Sequence, residues 1–200
     1  MTPIPRYLAS MWAIGQPVRR GPRPAFDIGD IGAAAVALAD SEGISAVSMK
    51  SVAASLGYTP MSLYHYLDSK DDLVTVMLDV AIGPPPDDYP AQGWRRRLDT
   101  WVRDLAARRS AHPWILDTLP GSPPLTPNFT RWTEHGLAAL DDTPLRLSER
   151  LSMLLAADGW ATYHQRWSLH TGMIGVPDPA SAQAGYGRQL AELIDPERFP

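Results

Sequence analysis

Cysteine is absent from all 200 residues, which excludes disulfides, thiolate nucleophiles and thiolate metal sites. No apolar run approaches the roughly 18 residues that a bilayer-spanning helix requires. Met1 to Ser10 also lacks the apolar stretch of a secretory signal. A soluble, cytoplasmic protein with no membrane association is expected. Lysine is nearly missing, standing only at positions 50 and 70. No segment alternates apolar and polar residues over the length of a strand, so no sheet is expected. The glycines form no phosphate-cradling loop, and no Ser-His-acid set lies in a motif context. The five histidines, His65, His112, His135, His164 and His170, lack the i, i+4 spacing of a helical metal pair. Neither an enzyme nor a cofactor or metal site is expected.

What is present suits a globular protein: 44% hydrophobic residues and 20% charged ones, enough for a core and too few charges for general disorder. The net charge of −4 taken alone argues against nucleic acid. Binding depends on local charge facing phosphate, so distribution outweighs the total. Arg19, Arg20 and Arg23 cluster without an acid between them, interleaved with Pro17, Pro22 and Pro24. Proline holds such a segment extended, as in an arm lying along a groove; the alternative is a solvated tail.

Helical periodicity begins at Ile28 and carries Ile31, Ala35 and Leu38 to a stop at Gly43. Ser48 is placed to cap a short second helix with Val52, Ala53 and Leu56. Thr59-Pro60 opens a third helix to about Tyr66, with proline at the first helical position. Ser69-Lys70-Asp71-Asp72 has the form of a capping box for a fourth. Gly83 to Pro90, rich in proline, marks a boundary. Beyond it the expected helices are Trp94 to Arg109, Pro113 to Leu119, Asn128 to Leu140, Leu145 to Met173 and Ala180 to Ile194. The expected organisation is all-α: a basic arm over 1–26, a small helical domain over 27–83, and a larger helical domain over 84–200.

Two short helices joined by Leu56-Gly57-Tyr58-Thr59 fit a helix-turn-helix, whose tight turn requires a residue tolerant of positive φ. The second helix of that motif presents its N-terminal residues to base edges in the major groove. The run Val52-Ala53-Ala54-Ser55-Leu56-Gly57, continuing through Leu63-Tyr64-His65 and Lys70 to Leu73, resembles the TetR family signature VA..LG.....LY.H...K..L. The likeness covers about residues 28 to 82 without a gap. It implies a one-component transcriptional regulator, a homodimer that binds double-stranded operator DNA and releases it when a small-molecule inducer binds.

The resemblance also implies residue roles. Lys50 stands where the tetracycline repressor has a DNA-contacting arginine. Thr59, Met61 and Ser62 match positions facing base edges, Tyr64 and His65 match positions meeting phosphate, and Lys70 matches a backbone-contacting lysine. Ser48 and Ser69 read as caps first and DNA contacts second, and Tyr66 as a packing residue. Met61 offers only apolar contact, for instance to a thymine methyl, and Ser62 discriminates weakly. Part of the specificity is therefore expected from the Arg19, Arg20, Arg23 arm and from DNA shape.

Six of the seven tryptophans lie beyond the boundary. Trp94 and Trp101 share an apolar stripe and read as core. Met153, Trp160, His164 and Trp167 share a face of the longest helix, and Asp158 and Gln165 add polar groups nearby. Trp114, Trp132, Asp158, Trp160, His164 and Trp167 are the candidate lining of a pocket for a hydrophobic or aromatic ligand. His112-Pro113-Trp114 resembles a segment near the inducer pocket in tetracycline-repressor-like proteins. The family pairs through its last long helices, here Leu145 to Met173 and Ala180 to Ile194, where Leu147, Leu151, Leu154 and Leu155 form an apolar band and Gly159 permits close approach. The alternative is a C-terminal domain that only dimerises or binds a protein partner.

Overall fold

The computed structural model describes residues 4–14, 26–88, 93–119 and 124–171, with side chains as far as Arg166. Among these residues the secondary structure is helical throughout: α1 (Arg6–Met11), α2 (Ile28–Glu42), α3 (Met49–Ser55), α4 (Pro60–Leu63), α5 (Lys70–Ile82), α6 (Trp94–Ala111), α7 (Ile115–Thr118), α8 (Pro127–Ala139) and α9 (Leu147–Thr171), with a 3-10 turn over Ile44–Ala46. The expected arm residues Arg19, Arg20 and Arg23, the side chain of Trp167 and the expected helix over 180–194 lie outside the described residues.

The chain divides into two compact units, Met1–Pro84 with Arg108–Trp132, and Pro85–Ala107 with Thr133–Pro200. In the first, α2 and α5 pack together because Gly32 leaves no side chain between them. A Cβ there would stand 2.6 Å from Val80 Cγ2 and 3.0 Å from Val76 Cγ1. Ile31, Ala35, Val52, Leu63, Leu67, Leu73, Val76 and Met77 bury completely around that contact. Three capping boxes fix where helices begin: Asp27 with Asp30, Ser48 with Ser51, and Ser69 with Asp72. Each satisfies amides that the first turn leaves without partners.

Two side-chain acceptors tie the later part of this unit to its helices. Asp40, near the end of α2, accepts from Trp114 Nε1 at 2.8 Å and lies 2.9 Å from His112 Nδ1. Asp79 on α5 accepts the backbone amides of Asn128 and Phe129 at the start of α8, at 2.8 and 3.3 Å. Trp132 Nε1 donates to the Gly83 carbonyl at 2.9 Å.

In the second unit Leu98, Trp101, Val102 and Leu105 of α6 bury with Ala139, Leu140, Leu154, Ala157 and Ala161. Gly136 admits Trp101 and Leu154, whose atoms would come within 2.9 Å of a Cβ. Arg97 donates to the Ala139 carbonyl at 3.1 Å and pairs with Asp142. Arg150 donates to the Leu145 carbonyl at 3.0 Å and pairs with Asp141 at 2.9 Å. Gln165 Nε2 donates to the Ala106 carbonyl at 2.8 Å.

Two sequence expectations are corrected. The segment before residue 26 is not a tail throughout, since Arg6–Met11 is helical. The third helix of the DNA-binding domain ends at Leu63 and not near Tyr66. There the chain tightens into a turn, with the Tyr66 and Leu67 amides both reaching the Leu63 carbonyl at 2.9 and 3.0 Å. The turn drives Leu67 into the core.

Candidate nucleic-acid interface

Helix α3 is set by Ser48, whose hydroxyl accepts the Ser51 amide at 3.0 Å while the Ser51 hydroxyl accepts the Ser48 amide at 2.9 Å. Ser51 also donates to the Ala46 carbonyl at 2.8 Å. Val52 and Ala53 are buried, and Lys50, Ala54 and Ser55 face outward. The turn that follows depends on Gly57, with φ of +79°, a conformation costly for any residue with a Cβ. The Tyr58 amide closes this turn onto the Ala53 carbonyl at 2.8 Å.

Helix α4 is a single turn begun by Thr59 and Pro60. Such a helix cannot persist alone, and Leu63, fully buried, anchors it. Its other residues face outward: Met61 is 70% exposed and Tyr64 42%, with Thr59 and His65 also exposed and Ser62 half-buried. Thr59 occupies the capping position, but its hydroxyl makes no capping hydrogen bond. Lys70, exposed, is the first residue of α5. Tyr66 is engaged inward: its hydroxyl donates to the Phe26 carbonyl at 3.1 Å and its ring lies 5.6 Å from that of Phe26. Phe26 also meets Tyr58 at 4.7 Å.

One short helix held by its cap, a glycine turn, and a second presenting polar and apolar groups from one buried anchor make a helix-turn-helix. Residues 31–77 match the model of the bacterial regulatory proteins of the tetR family. Residues 31–77 are thus a tetR-family DNA-binding module. The chain is 34% identical over 169 residues to the HTH-type transcriptional repressor DrrR1 of Streptomyces coeruleorubidus, a match covering 84% of this chain and 63% of DrrR1. An HTH-type transcriptional regulator of Saccharopolyspora erythraea is 30% identical over 121 residues, covering 59% of this chain and 50% of that protein. The chain thus spans less than two thirds of the length of either relative. Among solved structures, apo ActR from Streptomyces coelicolor superposes with a TM-score of 0.67 at 19% identity, over 87% of this chain and 88% of that one. ActR is also known in complex with (S)-DNPA, with a TM-score of 0.66 at 19% identity over 86% and 88%. At these identities the likeness establishes the tetR-family fold.

The candidate ligand residues fall in both units. Trp114 and Trp132, in the first, are buried and commit their indole N–H groups to Asp40 and Gly83. In the second, Trp160 and His164 meet with ring centroids 4.0 Å apart and planes tilted by 50°, and Tyr163 meets His164 edge-on at 5.5 Å. Asp158 is half-buried, two turns before Gln165, which contacts α6. Among the described residues no group of three or more His, Asp or Glu side chains could hold a metal ion. No described helix is long and apolar enough to cross a membrane.

Sequence reasoning missed Arg6 of α1, whose Nη1 donates to the Tyr64 carbonyl at 3.3 Å and whose Nε lies 3.5 Å from Asp68. The spacing of Tyr7, Leu8 and Met11 was the available signal, obscured by the flanking prolines.

Proposed function

We propose that this chain is a cytoplasmic transcriptional repressor that binds double-stranded operator DNA as a homodimer and releases it when a small hydrophobic or aromatic ligand binds. The observation that carries this reading is the one-sidedness of α4: Leu63 is sealed in the core while Thr59, Met61, Tyr64 and His65 stand exposed around it. Met61, apolar and 70% exposed, offers a surface that a thymine methyl would cover. Tyr64, His65, Lys50 and Lys70 supply hydrogen-bonding and positive groups for phosphate, with Ser48 and Ser62 as lesser contacts and the Arg19, Arg20, Arg23 arm in the adjacent groove.

Dimerisation is supported by α9, where Leu155 and Tyr163, each more than half exposed, flank the open surface of Gly159 at four-residue spacing, and Leu147 is exposed near the start of the helix. A symmetric pair carries two reading heads and doubles a contact that is weak alone. The ligand reading rests on the Trp160 and His164 rings, 4.0 Å apart in α9, with Asp158 on the same helix. ActR with (S)-DNPA, and a tetR-family protein of Acinetobacter baumannii with minocycline, are relatives in fold that carry ligands. A mobility shift on DNA flanking the gene, at two salt concentrations, tests the proposal. A discrete complex that resists competitor DNA and weakens steeply with salt supports it. Binding no tighter than to random DNA, there and across a genome-wide selection, overturns it.

A further inference from the structure

Helix α1 lies outside the residues that match the family, and it is fastened at both ends within the first unit. At its start, Arg6 donates to the carbonyl of Tyr64 at 3.3 Å and lies 3.5 Å from Asp68. Tyr64 is the residue that closes α4. At its end, Trp12 Nε1 donates to the Leu125 carbonyl at 2.9 Å, in the loop that leads into α8. Between these points Tyr7, Leu8 and Met11 are half-buried. Burial and the charge of Asp72, at the first turn of α5, hold the Tyr7 hydroxyl protonated above its ordinary range.

A one-turn helix leaves carbonyls at its C-terminal end without intrahelical partners, and α4 has few internal bonds to hold its orientation. A guanidinium placed on the Tyr64 carbonyl fills that need, and its ion pair with Asp68 fixes the turn that follows. We propose that Arg6 is a positioning residue for operator recognition: α1 is a strap that braces α4 in its reading orientation and is anchored at the loop before α8 by Trp12. This rests on the DNA-binding reading above. It adds that base discrimination depends on a side chain that touches no DNA.

The test compares Arg6→Ala and Trp12→Phe with the wild type. Arg6→Ala is expected to weaken specific operator binding about fivefold, the scale of one exposed charge-assisted bond. Non-specific DNA binding and the salt dependence should stay unchanged, because no phosphate contact is lost. Trp12→Phe keeps an aromatic ring but loses the pyrrole part of the indole with its N–H donor, and should give a smaller loss of the same kind. Hydrogen exchange on the DNA-free protein is the second readout, with faster exchange over residues 60–67 in Arg6→Ala and no change in the middle of α5. A uniform loss on specific and random DNA with a flatter salt dependence would make Arg6 a phosphate contact and overturn the proposal. Unchanged operator affinity, or unchanged exchange over 60–67, would also overturn it. If the wild type itself binds no duplex, the functional reading fails, and the exchange result still decides whether Arg6 braces α4.

Discussion

Asp79 offers a sharp test of how the first unit is held together. Its carboxyl is 3% exposed and accepts the amides of Asn128 and Phe129, two groups that α8 leaves without internal partners. Removing the acceptor by Asp79→Ala orphans both amides. At about 1–3 kcal/mol for each buried unsatisfied group, and with partial relaxation, a loss of about 2–4 kcal/mol is expected. Asp79→Asn keeps an acceptor oxygen and removes the buried charge. Burial is the main influence on this carboxyl and lifts its pKa above the ordinary 3.8, against opposing contributions from Thr126, the two amides and Arg131. The folded state therefore holds the Asp79 proton more tightly than the unfolded chain. The stability this provides is complete below about pH 3.8 and disappears as pH rises through the folded value. At neutral pH the charged form is a liability, so Asp79→Asn should be at least as stable as the wild type. Its advantage should shrink toward pH 4. Urea unfolding followed by tryptophan fluorescence measures this, since Trp132 bonds to Gly83 a few residues away. If Asp79→Asn proves as damaging at pH 7 as Asp79→Ala, the charge itself holds α8 and the argument from burial is wrong.

Gly57→Ala should cost about 1–2 kcal/mol, because φ of +79° strains a residue bearing a Cβ, and calorimetric melting should show it together with weaker DNA binding. His135 has its pKa lowered below 6.5, mainly by burial and against Asp104, Asp88 and a Pro86 backbone hydrogen bond. Its contribution to stability is present above pH 6.5 and lost as pH falls through the folded value; His135→Gln should flatten that part of the stability profile in pH-dependent urea titrations. Lys50→Ala should reduce the slope of log affinity against log salt by about 0.9, the release expected from one phosphate contact, as read by fluorescence anisotropy on operator DNA.

Much of the helix-turn-helix was legible in the sequence because its determinants are local. The caps at Ser48 and Ser69, the Gly57 turn and the Pro60 start are each decided by a few neighbouring residues, and the structure places them as expected. The end of α4 was not legible, since the turn after Leu63 forms to bury Leu67, a tertiary demand that outweighs local helical preference. Nothing in the neighbouring sequence marks Asp40 or Asp79, whose partners lie 49 to 74 residues away. Long-range pairing of that kind leaves no periodic trace. The donors of Trp114 and Trp132 go to Asp40 and Gly83, a pairing that aromatic composition does not reveal.

The central claim is that this chain reads a symmetric operator through α4. In vitro selection from random duplex DNA, run in parallel with wild type and Tyr64→Ala, tests it most directly. The account predicts enrichment of one inverted repeat by the wild type and loss of that enrichment by the variant, while the variant still unfolds cooperatively. No enriched sequence, or the same repeat enriched equally by Tyr64→Ala, would contradict it.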